Sequence, residues 1–431
     1  MPFIRTLLLA LLLLLPLPLL ADVSDVTAVE RRVILISIDG LHPDRLARLA
    51  PPTLTRWQAE GARAEWMTPA FPTLTFPMHY TLVTGFVPDR HGIVHNRMVD
   101  ADLGPFRLSL RAAVADGRWY EAAEPLWVTA RRHGLRSATL FWPGSEARIH
   151  GMRPDDWLPY AGDMPHAERV DRVLRWLDRP EPRRPHLITL YFAAFDEASH
   201  EHGADSVEAT AALADIDLAL LRLERGLRER GLYESVDLVV VSDHGMADVD
   251  VANPRRLDAT MALHDDELIS SGELAGIAPR SGRKAKVKAA LLGRHDGFEC
   301  WRRGELPPRW RYGTHPRIPP IICVADEGVH LTHAARLAQG GRISLGAHGY
   351  APELPSMRAI FFARGPRVAR GVILPPIDAV DVHPLLLDLL GLPPMATDGD
   401  AAATRAALRL NPASAPAAAA ASPKAPPPAP P

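Results

Sequence analysis

Continuous runs of apolar residues recur at intervals along the chain. Such runs predict strands that are covered on both faces, as in a mainly parallel sheet flanked by helices. Between these runs, apolar residues recur at helical spacing. This pattern is clearest over Val207–Arg230, directly before Gly231. The pattern therefore predicts an α/β domain. Its strands are predicted at Arg32–Ile38, Ser137–Trp142, Leu187–Ala193, Val236–Ser242 and Arg358–Ala363.

Two segments depart from this pattern. Residues 250–345 have only short apolar runs and are rich in Arg, Lys, Gly and Pro, which indicates a smaller inserted α+β subdomain. Its basic cluster Arg283–Lys288 could attract an anionic substrate, but a solvated charged face is the commoner explanation. Residues 401–431 are rich in Ala and Pro, and this composition predicts a disordered tail. The main domain is thus predicted at residues 22–400.

The N-terminus carries the leucine-rich run Leu7–Leu20 after Arg5. A basic residue before a short apolar stretch is typical of a secretory signal peptide, which we predict at residues 1–21. An uncleaved membrane anchor is the alternative. A spanning helix, however, needs about 20 apolar residues, and Pro16 and Pro18 interrupt this run. We therefore expect a periplasmic or secreted protein that has no membrane span after cleavage.

The net charge argues against one class of function, and the two cysteines raise the question of a disulfide bond. The chain has 49 lysines and arginines against 51 acidic residues, and a net charge of -2 argues against a dedicated nucleic-acid-binding surface. Export would favour a disulfide bond between the two cysteines, Cys300 and Cys323, with buried free thiols as the alternative. Neither cysteine lies in a C-x-x-C motif, so neither is predicted to be catalytic.

Acidic and imidazole side chains follow three of the predicted strands. They lie in the motifs SIDG (Ser37–Gly40), DEASH (Asp196–His200) and SDHGM (Ser242–Met246), and GAHGY (Gly346–Tyr350) adds a late histidine. Because the carboxyl ends of parallel strands meet at one edge of an open sheet, these groups should converge. Carboxylate and imidazole are zinc ligands, and two sets of three would leave positions open for substrate. The sequence predicts a two-metal hydrolase with the ligands Asp39, Asp196, His200, Asp243, His244 and His348.

A nucleophile is also needed, and the segment Phe71–Gly85 supplies hydroxyl groups. Two prolines, Pro72 and Pro77, predict a loop before a helix-like stretch that starts at His79. A threonine hydroxyl is inert near neutral pH, and a Lewis-acidic zinc ion is one way to activate it. Composition alone does not choose among Thr73, Thr75, Thr81 and Thr84.

These motifs carry a resemblance to a known family. The run FPTLTFPMHYTLVTGFVPDRHGIVHN at Phe71–Asn96, together with SIDG, DEASH, SDHGM and GAHGY, resembles the nucleotide pyrophosphatase/phosphodiesterase family of the alkaline phosphatase superfamily. The resemblance continues in order over about residues 32–394, including HPRIPPI and LLDLLGLPP. It implies an alkaline-phosphatase-like fold and the hydrolysis of phosphodiester or pyrophosphate bonds.

The resemblance also implies roles for individual residues. Thr75 would be the nucleophile and would itself contact the zinc ion that activates it, which Asp39, Asp243 and His244 would hold. A second zinc ion would stabilise the leaving group and later the attacking water, held by Asp196, His200 and His348. Asn96 would donate a hydrogen bond to a nonbridging phosphate oxygen, as an oxyanion-hole donor does.

The resemblance further implies that three aromatic residues stack on a nucleotide base, namely Phe76, Tyr160 and Tyr191. By spacing alone, each of them would be assigned to the core. One position departs from the family pattern T-F-P-N-H-Y, because Met78 replaces the asparagine. A methionine cannot make the hydrogen bonds of an amide, so a change of substrate preference is possible at this position.

The sequence therefore predicts an exported two-zinc phosphodiesterase that acts on small nucleotides through a covalent threonine intermediate and releases a nucleoside monophosphate. Alternatives on the same scaffold are a phosphomonoesterase, a phospholipid-head-group phosphodiesterase and a phosphonate hydrolase. A sulfatase is disfavoured because no C/S-x-P-x-R motif is present. An inactive zinc-stabilised binding protein is the non-enzymatic alternative, but structural zinc sites usually have four protein ligands, often cysteines.

Overall fold

The computed structural model describes residues 31–259, 261–338 and 340–409. The predicted signal peptide lies outside the described residues. The strands of the two main sheets are, in chain order, β1 (Arg32–Ile38), β2 (Ala62–Ala64), β3 (Ser137–Leu140), β4 (Asp156–Leu158), β5 (Leu187–Phe192), β6 (Val236–Val241), β7 (Leu268–Ser270), β8 (Leu274–Ile277), β9 (Gly293–His295), β10 (Phe298–Arg302), β11 (Ile321–Ala325), β12 (Phe361–Arg364) and β13 (Val372–Leu374).

The α-helices among the described residues are α1 (Pro43–Leu49), α2 (Pro52–Glu60), α3 (Thr75–Thr84), α4 (Pro88–His91), α5 (Arg111–Val114), α6 (Leu126–Arg132), α7 (His166–Leu177), α8 (Ala194–His202), α9 (Val207–Glu229), α10 (Lys284–Leu291), α11 (Ala334–Ala338), α12 (Val382–Leu390) and α13 (Ala401–Thr404). None of them is long and apolar enough to cross a membrane. Helix α9 matches its predicted range to within one residue, and the hydroxyl of Ser206 caps its first turn by accepting from the amide of Ala209.

The central sheet has eight strands in the order β13-β2-β12-β6-β1-β5-β3-β4. The five strands from β6 to β4 are mutually parallel, whereas β12 runs antiparallel to both of its neighbours. The predicted α/β class with a mainly parallel sheet is therefore confirmed. The unpredicted strands β2, β4 and β13 are only three residues long, too short to give a periodic signal.

Helices cover both faces of this sheet, and strand β1 shows why its sequence is apolar at consecutive positions. Val33 and Leu35 pack into a core with α3 and α12, whereas Ile34, Ile36 and Ile38 pack into a second core with α7 and α9. Successive side chains of a strand point to opposite faces, so a strand between two cores needs apolar residues throughout.

A second, antiparallel sheet lies within the segment predicted as an inserted subdomain. Its strand order is β7-β8-β11-β10-β9, and α10 belongs to the same segment. Cys300 and Cys323 lie opposite each other in the register of β10 and β11 and form a disulfide bond across 23 residues of sequence. The predicted bond therefore joins two neighbouring strands of this sheet.

The C-terminal boundary differs from the predicted one. Ala401–Thr404 form α13, whose N-terminus is capped by the side chain of Asp400, and Thr404 and Ala407 are buried. Alanine-rich sequence favours a helix once a cap and a packing surface are present. The folded chain therefore continues past residue 400, where the disordered tail was predicted to begin. Residues 410–431 of that tail lie outside the described residues.

Acid should destabilise the fold partly through His383. This histidine of α12 is fully buried, and neither ring nitrogen has a hydrogen-bond partner among the described residues. Burial lowers its pKa from 6.5 to about 4. As the pH falls from 6.5 towards 4, the unfolded state binds a proton that the folded state does not, which should cost about 3 kcal/mol of unfolding free energy.

Urea unfolding of metal-free protein at pH 7 and pH 4.5 measures this effect. We expect His383→Leu to lose less stability than the wild type between these two pH values, with the exposed His202→Leu as the control. An identical loss in His383→Leu and wild type would contradict the prediction.

Candidate active site

Three neighbouring parallel strands bring the predicted acidic ligands together. In the register of the sheet, Ser37 of β1 lies opposite Val241 of β6, so Asp39 and Asp243 each follow two residues later. Asp196 lies in the first turn of α8, directly after β5 on the other side of β1. The three carboxylates therefore meet at the carboxyl edge of the sheet, as predicted.

The histidines reach the same place by different routes. His200 lies one turn after Asp196 on α8, and His244 follows Asp243 in the chain. His348 arrives through a short antiparallel ladder that pairs Ala247–Asp248 with Gly346–Ala347. All six predicted ligands are thus brought together from four segments of the chain.

Distances between ligand atoms define two overlapping groups. The Nε2 of His244 lies 3.4 Å from Asp39 Oδ1 and 3.0 Å from Asp243 Oδ2. The Nε2 of His348 lies 3.7 Å from Asp196 Oδ1 and 3.1 Å from His200 Nε2. The groups whose atoms are compact enough for one ion are Asp39, Asp243 and His244, and Asp196, His244 and His348. His244 therefore lies beside both groups, whereas the predicted ligand His200 belongs to neither of them, although its Nε2 lies close to that of His348.

Hydrogen bonds orient the three imidazoles for metal binding. The Nδ1 atoms of His200, His244 and His348 donate to backbone carbonyls of Gly346, Gly245 and Thr73 at 2.7, 2.9 and 2.8 Å. A carbonyl can only accept, so each Nδ1 carries the proton and each Nε2 presents a lone pair to the cluster. Metal-ligating histidines are held in this way in proteins.

In the described part of the chain, Asp39 and Asp243 each have one carboxylate oxygen that accepts a hydrogen bond and one that does not. Asp39 Oδ2 accepts from the hydroxyl of Tyr191 at 2.6 Å, and Asp243 Oδ1 accepts from the amide of Gly40 at 3.2 Å. Their other oxygens are buried without a partner among the described residues, as are Asp196 Oδ1 and His244 Nε2. Buried unpaired polar atoms are costly, and these face one another, so the donor set fits divalent cations.

Electrostatics support the same conclusion. Burial, followed by repulsion from Asp243 and Asp196, raises the pKa of Asp39 well above its usual value. Burial, followed by the proximity of His244 and His200, lowers the pKa of His348 well below its usual value. The protein thus holds repelling carboxylates beside a neutral imidazole, an arrangement that cations would stabilise.

Backbone geometry explains the glycine of the SIDG motif. Gly40 has a φ of 71°, and a Cβ at this position would lie 3.0 Å from Asp196 Oδ1. Glycine adopts this left-handed conformation without steric cost and leaves room for the neighbouring carboxylate.

The structure separates the four candidate threonines. Thr73 is buried and donates to the carbonyl of Tyr350, while Thr81 and Thr84 are buried and hydrogen-bonded to His91 and Tyr80. Thr75 is only half-buried and lines a cavity of about 290 Å³ together with Asp39 and Asp196. Helix α3 begins at Thr75, four residues before the start that the sequence predicts.

Asn96 lies beside the first turn of α3. Its Oδ1 accepts from the backbone amide of Phe76 at 2.9 Å. Because a backbone N–H can only donate, the atom that faces it must be the amide oxygen, and the NH2 group of Asn96 is left available. No hydrogen bond among the described residues uses that NH2 group, so Asn96 could donate to a ligand next to Thr75.

The three predicted aromatic residues line the same cavity but differ in exposure. Phe76 is half-buried and Tyr160 is 37% exposed, so both can offer a ring to a ligand. Tyr191 is only 7% exposed, and its hydroxyl is bonded to Asp39. Tyr191 is therefore packed like a core residue, and it also holds a candidate metal ligand, a role that the sequence did not predict.

His79 was not singled out from the sequence, but it lies between the candidate nucleophile and a candidate metal ligand. Its Nδ1 donates to the carbonyl of Thr75 at 2.8 Å and lies 3.4 Å from Asp243 Oδ2. Its Nε2 is 2.8 Å from the hydroxyl of Ser37, two residues before Asp39. The histidine inside T-F-P-x-H-Y was the available signal, but its contacts come from three separate segments.

Met78, the departure from the family pattern, does not line the cavity. It is fully buried, and the backbone amide of Ala70 lies 3.1 Å from its sulfur. This side chain therefore supports the loop before α3, and a direct contact with substrate is not available to it.

A model of the type I phosphodiesterase/nucleotide pyrophosphatase family matches residues 33–351. The chain therefore belongs to this family. It is 32% identical over 378 residues to the bis(5'-adenosyl)-triphosphatase enpp4 of Xenopus laevis. These aligned residues cover 88% of this chain and 81% of that protein. It is also 32% identical over 370 residues to the human ectonucleotide pyrophosphatase/phosphodiesterase family member 5, covering 86% and 76% of the two chains.

Solved structures agree with this assignment. Murine ectonucleotide pyrophosphatase/phosphodiesterase 5, in an inactive threonine-to-alanine variant bound to AMP, matches with a TM-score of 0.83 and 31% identity. The match covers 88% of this chain and all of that one. The alkaline-phosphatase-like α/β fold and the phosphodiester hydrolase class are thereby confirmed. Members of the family depend on metal ions, and the two residue groups described above are candidates to hold them.

Proposed function

We propose that this protein hydrolyses a phosphodiester or pyrophosphate bond of a nucleotide at a two-zinc centre, through a covalent intermediate on Thr75, and releases a nucleoside monophosphate. One observation carries the proposal. Of the four candidate threonines, Thr75 is the one that lines a cavity shared with acidic ligands of both metal groups. The murine relative is inactive when one threonine is replaced by alanine, which supports a threonine as the nucleophile.

Thr75 occupies a favourable position for an anionic group. It is the first residue of α3, and the positive end of a helix dipole stabilises negative charge there. The Thr75 oxygen would attack phosphorus while the bond to the leaving oxygen breaks, and water would later cleave the phosphothreonine. Zinc held by Asp39, Asp243 and His244 would supply Lewis acidity to activate the hydroxyl, with the second ion held by Asp196, His200 and His348.

Asn96 and two aromatic residues would bind the rest of the substrate. The available NH2 group of Asn96 would donate to a nonbridging phosphoryl oxygen, where charge develops during the reaction. The half-buried ring of Phe76 and the exposed ring of Tyr160 would stack on the base. AMP in the murine relative supports a nucleotide as the substrate. The disulfide bond and the predicted signal peptide support export to the periplasm or the medium.

Substitution of Tyr160 tests the nucleotide preference. A base stacked on one ring contributes on the order of 1–3 kcal/mol, so Tyr160→Ala should lower kcat/KM for thymidine 5′-(4-nitrophenyl phosphate) by roughly ten- to a hundredfold. Methyl 4-nitrophenyl phosphate has the same leaving group without a base, and its kcat/KM should change little. The measurement is the release of 4-nitrophenolate from both substrates.

Tyr191→Phe is the companion variant, because it keeps the ring and removes the hydroxyl that binds Asp39. It should affect both substrates alike. Equal losses on the two substrates in Tyr160→Ala would show that Tyr160 does not recognise a base.

A second candidate function has one observation in its favour. The carboxylate of Glu197 lines the cavity beside the aromatic rings, and aromatic faces with a nearby carboxylate also suit a quaternary ammonium group. A phospholipid-head-group phosphodiesterase would use the same phosphoryl chemistry. Inclusion of a phosphocholine diester in the assay, beside a nucleotide diester and a phosphate monoester, distinguishes these substrates.

A further inference from the structure

Arg169 of α7 is a buried cation without a direct ion-pair partner among the described residues, although Glu197 and Asp163 favour its charge from a longer distance. It is only 2% exposed, and no ion pair of the described residues includes it. Its guanidinium instead donates to three backbone carbonyls, through Nε to Met164, Nη1 to Tyr191 and Nη2 to Gly162, at 2.9–3.0 Å. A buried charge is expensive, and an apolar side chain would fill this space at lower cost. The arginine must therefore provide something that packing alone does not.

The three carbonyls belong to the two segments that carry aromatic residues of the cavity. Gly162 and Met164 lie in the loop after Tyr160, and the third carbonyl is that of Tyr191 itself. The planar fork of an arginine can hold several acceptors at once in fixed directions, which a lysine cannot do. Arg169 thus fixes the loop of Tyr160 relative to the end of β5.

A third aromatic residue of the cavity packs on the same guanidinium. The ring of Phe141 lies 5.0 Å from the guanidinium carbon and contacts Tyr160 at 5.4 Å in an edge-to-face arrangement. Phe141 has a φ of 65°, a conformation that is rare for a bulky residue and persists only where the surroundings impose it. Phe76, on α3, completes the cavity from another element.

We propose that Arg169 is a positioning residue for substrate specificity, which holds the aromatic wall formed by Phe141, Tyr160 and Tyr191 in the shape that receives a nucleotide base. This inference rests on the proposed nucleotide phosphodiesterase function. Arg169 does not touch the substrate, and its influence on the reaction passes through the aromatic wall.

The test compares Arg169→Lys and Arg169→Gln with wild type on two substrates that share a leaving group, thymidine 5′-(4-nitrophenyl phosphate) and methyl 4-nitrophenyl phosphate. We expect KM for the nucleoside diester to rise roughly tenfold, by loss of stacking, while kcat/KM for the methyl diester stays within about threefold. The exposed Arg175→Gln on the same helix is the matched control and should behave like wild type.

A double-mutant cycle shows whether Arg169 acts through Tyr160. The effects of Arg169→Lys and Tyr160→Ala on the nucleoside diester should be strongly non-additive, because both remove the same contact with the base. Calorimetric titration of AMP into each variant provides a second readout that does not depend on turnover.

Four results would overturn the inference. Three are equal losses on both substrates, additive effects in the cycle, and a nucleoside preference that survives Arg169→Lys. The fourth is failure of both Arg169 variants to fold, which would make the residue a requirement of the fold alone. The proposed function fails separately, if the wild-type protein does not prefer the nucleoside diester. If Arg169→Lys keeps the wild-type preference for the nucleoside diester, only the role of Arg169 is overturned and the proposed function stands.

Discussion

Thr75→Ala is expected to lower the turnover of a nucleotide diester by at least about a thousandfold, an increase of about 4 kcal/mol in the activation free energy. The reason is that no other hydroxyl of the segment Phe71–Gly85 reaches the cavity. The metal content of the variant should match that of wild type, because the six candidate ligands remain. The measurements are steady-state turnover and metal content by atomic emission.

Two further variants make this prediction specific. Thr75→Ser keeps a hydroxyl and should retain a measurable part of the activity, whereas the exposed Thr210→Ala on α9 should behave like wild type. Thr73 is a poor control, because its hydroxyl binds Tyr350 and its carbonyl accepts from His348. Near-normal turnover in Thr75→Ala would contradict a mechanism with a covalent intermediate on this threonine.

Loss of metal is expected to have the second large effect. Chelation should abolish activity and added zinc should restore it, because the buried carboxylates and imidazoles are arranged around cations. Removal of one histidine should weaken the binding of one ion only, because His244 would hold the ion beside Asp39 and Asp243, and His348 the ion beside Asp196. After dialysis, His244→Ala and His348→Ala should each keep about half of the wild-type metal.

His202→Ala is the matched control for these variants, because this exposed histidine lies on the same helix as His200. Metal content and diester turnover should both equal those of wild type. A fully active, metal-free wild-type preparation would refute the two-metal centre, and wild-type metal content in His244→Ala or His348→Ala would refute the role of that histidine as a ligand.

The sequence by itself determined the fold class and the convergence of the six candidate ligands. Both follow from local order along the chain, because a run such as Arg32–Ile38 needs two covered faces and Asp39 directly follows it. The carboxyl ends of parallel strands share one edge, so residues that follow different strands must meet. The boundary of the tail was less well predicted, because the cap and packing of α13 depend on distant residues.

Only the tertiary structure decided which threonine is accessible, that His244 lies between both groups, and that Tyr191 holds Asp39. It alone placed His79 beside Asp243 and Arg169 behind the aromatic wall. Each of these facts depends on burial and on hydrogen-bond partners that packing brings from remote parts of the chain. The hydroxyl of Tyr191, for example, bonds to a carboxylate 152 residues away. Spacing along a sequence carries no record of such contacts, since they form only when the sheet and its helices pack together.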